Sequence, residues 1–332
     1  MVRPARVPYL NDSALFIPPC PITGLPAVRL IQSISSDLLN GLWQASFGVA
    51  TAGQLGTGRR FGLWESPCGL IFFDPMVAGD GSFYRKLYTG WGKDGPWTEQ
   101  SSPRLDYART AAMVKPGHRV LDVGCGPAAF ADHVRHATYV GLDDNYLSAG
   151  APADIRNESL AAHAAAHAEE YDAVCAFHVV EHVPELARFA SDLGRCVKPG
   201  GYLILAVPKY PSSINDIPNF VFNAPPHHLT WWNEPALRTL AESAGLQVQS
   251  LEGLPLGAHH RLGHWMGFVA PKLTGKQYFR HALTWHGALA WSFIAGRLCA
   301  AILGTPRHAK PVELLLIARK PEVQPRVVPR PS

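Results

Sequence analysis

Two groups of residues in this 332-residue chain have the types and spacing to do chemistry. The first is Val120-Leu121-Asp122-Val123-Gly124-Cys125-Gly126-Pro127-Ala128, an apolar run that carries one carboxylate and ends in a glycine turn. Glycines let a backbone approach a ligand closely. Asp143 and Asp144 follow the next apolar run, and a carboxylate at Asp143 can accept both ribose hydroxyl hydrogens. The second group is histidine-rich. His178, Glu181 and His182 share one face of a helical turn, and His227-His228 follow a Pro-Pro step. Imidazole suits general-base work on a hydroxyl, because its pKa lies near the working pH. His228 and His227 are the leading candidates for that base, with His178 behind them. His178, Glu181 and His182 also have the donor types of a divalent-metal site. Support of a turn is the reading adopted, and no metal is assigned.

These groups need a scaffold. His118–Val123, Thr138–Leu142, Tyr171–Phe177 and Tyr202–Val207 read as short apolar strands. Between them Leu186, Phe189, Ala190, Leu193, Cys196 and Val197 recur at helical spacing, and Pro199-Gly200-Gly201 ends that helix. Glu234–Ala244 is another helix, and Leu246–Leu251 and Val312–Ala318 read as strands. Alternating strands and helices predict an α/β fold, a Rossmann-like, doubly wound and mostly parallel sheet. Open sheets of that kind bind ligands at the carboxyl ends of their strands, where both chemical groups lie.

Two cofactors fit the glycine turn. Gly124, Gly126 and Ala129 satisfy a dinucleotide pattern, which keeps a nicotinamide-dependent oxidoreductase as an alternative. Asp122 argues against it. A carboxylate there repels a pyrophosphate but suits a cationic amino-acid moiety, which favours S-adenosylmethionine. Val120–Ala131 resembles motif I of class I S-adenosylmethionine-dependent methyltransferases. Tyr171–Val183 resembles the family's fourth strand and the turn after it, and Leu193–Val207 the entry to its fifth. Pro225-Pro226-His227-His228-Leu229-Thr230-Trp231-Trp232 resembles a segment of bacterial small-molecule and glycan methyltransferases. The resemblance implies that Asp122, Gly124 and Gly126 line the methionine end of the donor, that Asp143 holds the ribose and that Glu158 approaches the adenine. Ala128 stands where many members have a third glycine, and a modest effect is expected. His178 stands where ubiquinone-pathway O-methyltransferases have a glutamate.

The expected organisation is a flexible tail (1–19), a small N-terminal lobe (20–105), the methyltransferase core (106–252), an apolar helical insertion or lid (253–310), the last core strand (311–320) and a second tail (321–332). Some related bacterial enzymes begin with two Cys-x-x-Cys pairs that bind zinc. Here only Cys20 and Cys68 remain, so the lobe reads as a degenerate zinc ribbon without metal. Phe83, Tyr84, Tyr88, Trp91 and Trp97 crowd its end, as a cofactor cover or a local core. The six cysteines form no disulfide framework, and the N-terminus has no signal-peptide pattern. Net charge is +4 and charged residues make up 17%, so nucleic acid is not an expected partner.

The uncharged run Ala282–Gly296, closed by Arg297, is short of the roughly 20 residues that span a bilayer. Residues 279–304 then read as a buried lid, a dimer contact or an interfacial helix at an anionic membrane, with the lid preferred. The expected activity is methyl transfer to a small-molecule or glycan-type acceptor, with oxygen favoured, in the cytoplasm or at the inner membrane face. A non-catalytic partner that keeps the fold is the other alternative.

Overall fold

The apolar runs become strands of one sheet, and those at its centre, such as Tyr171–Phe177 and Glu313–Arg319, are buried on both faces. The computed structural model describes residues 16–89, 104–144, 154–272 and 277–322. Trp91, Trp97 and the outer parts of both expected tails lie outside them, and the Tyr88 side chain is likewise not described.

The N-terminal lobe holds β1 (Arg29–Ser35), α1 (Ser36–Phe47), α2 (Ala52–Leu55), β2 (Arg60–Glu65), β3 (Ile71–Asp74) and α3 (Gly81–Thr89). Ser35 caps α1 by accepting the Leu38 amide, and Gly48 ends it with a φ of 66°. The core begins with α4 (Leu105–Ala111), β4 (Arg119–Val123), β5 (Thr138–Leu142), β6 (Asp154–Arg156) and α5 (Leu160–Ala166). It continues with β7 (Tyr171–Phe177), α6 (Leu186–Cys196), β8 (Val197–Pro208), β9 (Thr230–Trp231), α7 (Glu234–Ser243) and β10 (Gln247–Gly253). After α8 (Arg261–Val269) and α9 (Leu283–Leu303) the chain closes with β11 (Glu313–Arg319).

Among the described residues the main sheet has seven strands in the order β10-β11-β8-β7-β4-β5-β6. β4 pairs in parallel with β5 and β7, with Leu121 opposite Val140 and Val174, whereas β11 runs antiparallel to β8 and β10. The strand order reverses at β4. The chain turns towards β5 and β6 on one side and β7 and β8 on the other, and the crevice at such a switch is where ligands bind. The Gly124 turn and His178 sit on its two walls. A surface basin beside Lys115, Asp172 and Arg319 lies at the strands' other ends, away from this chemistry.

Two departures from the expected organisation stand out. The lobe sheet has the order β1-β2-β3-β9, so residues 230–231 supply its fourth strand. Its apolar cluster also takes in Val221, Trp231 and Phe279. A sequence boundary at 105 is therefore not a boundary in space. In addition, Arg297 does not end the late apolar segment. α9 runs unbroken for 21 residues, long and apolar enough to cross a membrane, with only 17% of it buried. Its small-residue face, which includes Gly296, packs on Met266 of α8, and its other face carries exposed Trp291, Ile294, Leu298 and Ile302. The expectation of a buried lid is corrected. Too little bulky side chain faces the protein for burial.

Candidate active site

The glycine turn is held between two strands. The Gly124 amide donates to Leu142 of β5 at 2.7 Å. Gly124 has a φ of 72°, and a Cβ there would lie 2.4 Å from Val179 Cγ2, so only glycine fits. Gly126 also has a positive φ, but a Cβ on it would meet nothing within 4 Å, so the turn is open on its outer side. The Asp143 carboxylate accepts the Gly126 amide at 2.9 Å, which places the expected ribose ligand at the mouth of the turn. Asp122 lies beneath, 2% exposed, and accepts the Tyr139 hydroxyl at 2.7 Å. Burial pushes its carboxyl up to about 7. An open cradle with one buried carboxylate below and one at its mouth fits a donor with a cationic amino-acid end and a ribose.

Glu158 is placed differently from the expectation. Its carboxylate bonds His163 Nδ1 at 2.8 Å, and His163 Nε2 bonds the Tyr171 hydroxyl at 2.7 Å. That chain anchors α5 to β7, and an adenine contact would compete with it. Ala128 adopts a φ of 57°, the left-handed region in which a third glycine would sit without strain.

Across the crevice, His178 follows the end of β7. Its Nε2 lies 3.1 Å from Glu313 Oε1, and its Nδ1 lies 3.4 Å from Glu181 Oε1. Burial opposes the imidazolium, but the two carboxylates outweigh it and raise the pKa to about 10. A ring held as a cation cannot take a proton, so His178 is corrected from candidate base to charge partner.

The Pro225–Trp232 segment forms the next wall. Trp43 donates to the Pro225 carbonyl and Trp231 to the Asn223 carbonyl, each at 2.8 Å. His227 and His228 stack with centroids 4.5 Å apart, and His182 lies 4.5 Å from His227 and 5.0 Å from His228. Burial holds the pKa of both His227 and His228 well below the usual imidazole range. They are neutral, but weak bases towards a hydroxyl, which corrects the preference for them as general bases.

The family model for a methyltransferase domain matches residues 99–251. That span holds the glycine turn, Asp143 and the histidine wall. Residues 99–251 are thus similar to methyltransferase domains. That likeness implies S-adenosylmethionine as the methyl donor.

The ubiquinone biosynthesis O-methyltransferase of Salmonella enteritidis is 29% identical over 169 residues, 41% of this chain and 68% of that protein. The enzyme of the same name from Escherichia coli O157:H7 is 36% identical over 110 residues, 30% of this chain and 46% of that protein. The crystal structure of an S-adenosylmethionine-dependent methyltransferase from Archaeoglobus fulgidus is similar at a TM-score of 0.44, with 18% identity, covering 64% of this chain and 90% of that one. The strand order, rather than that superposition, carries the fold assignment.

Several residues of the methyltransferase site were not singled out from sequence. Glu313 is the one carboxylate in β11 and is 4% exposed, and an acid opening an otherwise apolar strand was a readable signal. Arg104 pairs with buried Asp106 and lies 4.0 Å over the Tyr107 ring. His259 and His260 precede α8, and His260 Nδ1 is 3.9 Å from Glu313 Oε2. Loop approaches of this kind have no spacing signature. In the lobe, Cys20 and Cys68 meet with their sulfurs 3.9 Å apart, beside Ser66 and Thr23, both poor metal ligands.

Proposed function

We propose that the enzyme methylates an oxygen of a small-molecule or glycan-type acceptor that is presented at an anionic membrane surface of the cytoplasm. The exposed apolar face of α9 beside the cleft carries this reading. Phe268 of α8 extends that face, being 70% exposed. Exposed Arg280, Arg307 and Lys310 supply positive charge around it. A surface helix of this type seats its apolar side in the headgroup region. The path inward is short. Met266, which touches α9, clusters with Ile217 and Phe220, and Phe222 next to Phe220 lies 4.0 Å from His227. An oxygen acceptor agrees with the names of the two relatives.

The donor supplies an already activated methyl group on a cationic sulfur. What the protein's residues must do is align and exclude water. Gly124 and Gly126 let the backbone close on the donor, and Asp143 fixes the ribose. Tyr84, Phe222 and the rings of His227 and His228 wall the acceptor side. The His178 cation between Glu181 and Glu313 holds the ends of β7 and β11 together.

The test is transfer of labelled methyl from the donor to phenolic, polyol and glycolipid acceptors, free and in anionic vesicles. Label in an ether, enhanced by vesicles, supports the proposal. Label on nitrogen or carbon, or indifference to vesicles, overturns it.

A further inference from the structure

We infer that His182, His227 and His228 form a binding site for one zinc-class divalent cation on the acceptor wall of the cleft. Each offers a ring nitrogen, and the three nitrogens lie within 4.8 Å of one another. Tetrahedral zinc at about 2.0–2.1 Å from each would bring them to roughly 3.3 Å apart, a shift that side-chain rotation can supply.

The hydrogen bonds fix which nitrogen carries the lone pair in His182 and His227. His182 Nδ1 lies 2.7 Å from the His227 carbonyl, and His227 Nδ1 lies 3.0 Å from the Phe222 carbonyl. A carbonyl only accepts, so Nδ1 carries the proton in both neutral rings and the lone pair is on Nε2. Carbonyls that receive the far N–H are also what orients histidine ligands in metal sites. His227 Nε2 is buried and has no hydrogen-bond partner, on a residue that is 2% exposed. Among the described residues nothing in the hydrogen bonding accounts for that lone pair, and a cation would.

Charge and access agree. Glu181, which shares Oε1 with the His178 ion pair, holds that oxygen 3.9 Å from His182 Nε2, so a carboxylate borders the site. His227 and His228 close the site from inside, while the His182 side chain is 19% exposed. Three protein ligands with one open side is the pattern of a metal site that admits a further ligand. If the oxygen-acceptor reading holds, that open side faces the acceptor oxygen. This role, though not the cation site itself, rests on that reading.

The experiment is a titration of the chelator-treated full chain with Co²⁺, followed by visible absorption, then displacement by Zn²⁺. The expected result is one equivalent bound with a tetrahedral spectrum that Zn²⁺ abolishes. His182→Gln and His227→Ala should each weaken Co²⁺ binding beyond the roughly 10–100-fold typical of losing an outer partner. His308→Ala, on the exposed surface, should leave it unchanged. If His227→Ala does not fold, the partly exposed His182→Gln carries the test. Wild type that binds Co²⁺ no better than His182→Gln overturns the site. Donor binding measured on the same samples separates the two claims. Donor bound with no cobalt site overturns the metal alone, and cobalt bound with no methyl transfer to oxygen overturns the acceptor reading alone.

Discussion

His178 Nε2 lies 3.1 Å from Glu313 Oε1, a contact that joins the end of β7 to the start of β11. Glu181 approaches the same ring from the other side at 3.4 Å. The pKa of His178 is raised from 6.5 to about 10, so its contribution to stability is fully present below about pH 6.5 and is lost as pH rises towards about 10. Denaturant unfolding between pH 6 and pH 10 should therefore show falling stability, and His178→Gln should flatten that slope. His178→Ala leaves two buried carboxylates without their cation and should cost about 3 kcal/mol or more at pH 7.

Ala128 has a φ of 57° in the turn after Gly126. A left-handed non-glycine residue costs roughly 1–2 kcal/mol, partly offset by the greater freedom glycine has when unfolded. Ala128→Gly should stabilise the protein by up to about 1 kcal/mol, read from the denaturation midpoint. Gly124→Ala should do the opposite and also abolish tight donor binding, because its Cβ would meet Val179 at 2.4 Å.

Asp122 is buried, with its carboxyl raised to about 7. A cationic donor end favours the ionised form, so binding below pH 7 should release a proton. Calorimetry at pH 6 in two buffers of different ionisation enthalpy should detect the release in wild type and not in Asp122→Asn. Equal heats for wild type in both buffers would contradict the placement of Asp122 beneath the donor.

The exposed face of α9 should bind anionic vesicles. Leu298 and Ile302 are 59% and 78% exposed, and each contributes about 1.5 kcal/mol or more if buried in the headgroup region. Leu298→Glu with Ile302→Glu should weaken vesicle co-sedimentation roughly 100-fold and leave donor binding intact. Unchanged co-sedimentation would leave the helix as a contact for another surface.

The centre of the sheet is readable because its strands are two-sided apolar runs. Thr138–Leu142 and Tyr171–Phe177 have the bounds expected from sequence. Leu186–Cys196 follows from the spacing of its apolar residues. β9 was not readable, since two residues pair with β3 only once the lobe is in place. The full length of α9 is not legible, because Arg297 reads as a break, yet a lone charged residue does not end a helix of good formers. In the site, the glycine turn and Asp143 follow from local sequence. The charge states of His178, His227 and His228 do not, because burial and contacts such as the one with Glu313 set them, and these come from distant segments.

Calorimetric titration with S-adenosylmethionine and S-adenosylhomocysteine, on wild type and on Asp143→Ala, tests the account most directly. Wild type should bind both with one site per chain. Asp143→Ala should bind them at least about 10-fold more weakly, given that it loses a charge-assisted hydrogen bond to the ribose worth about 1.5–3 kcal/mol. A folded wild type that binds neither compound would contradict the central claim.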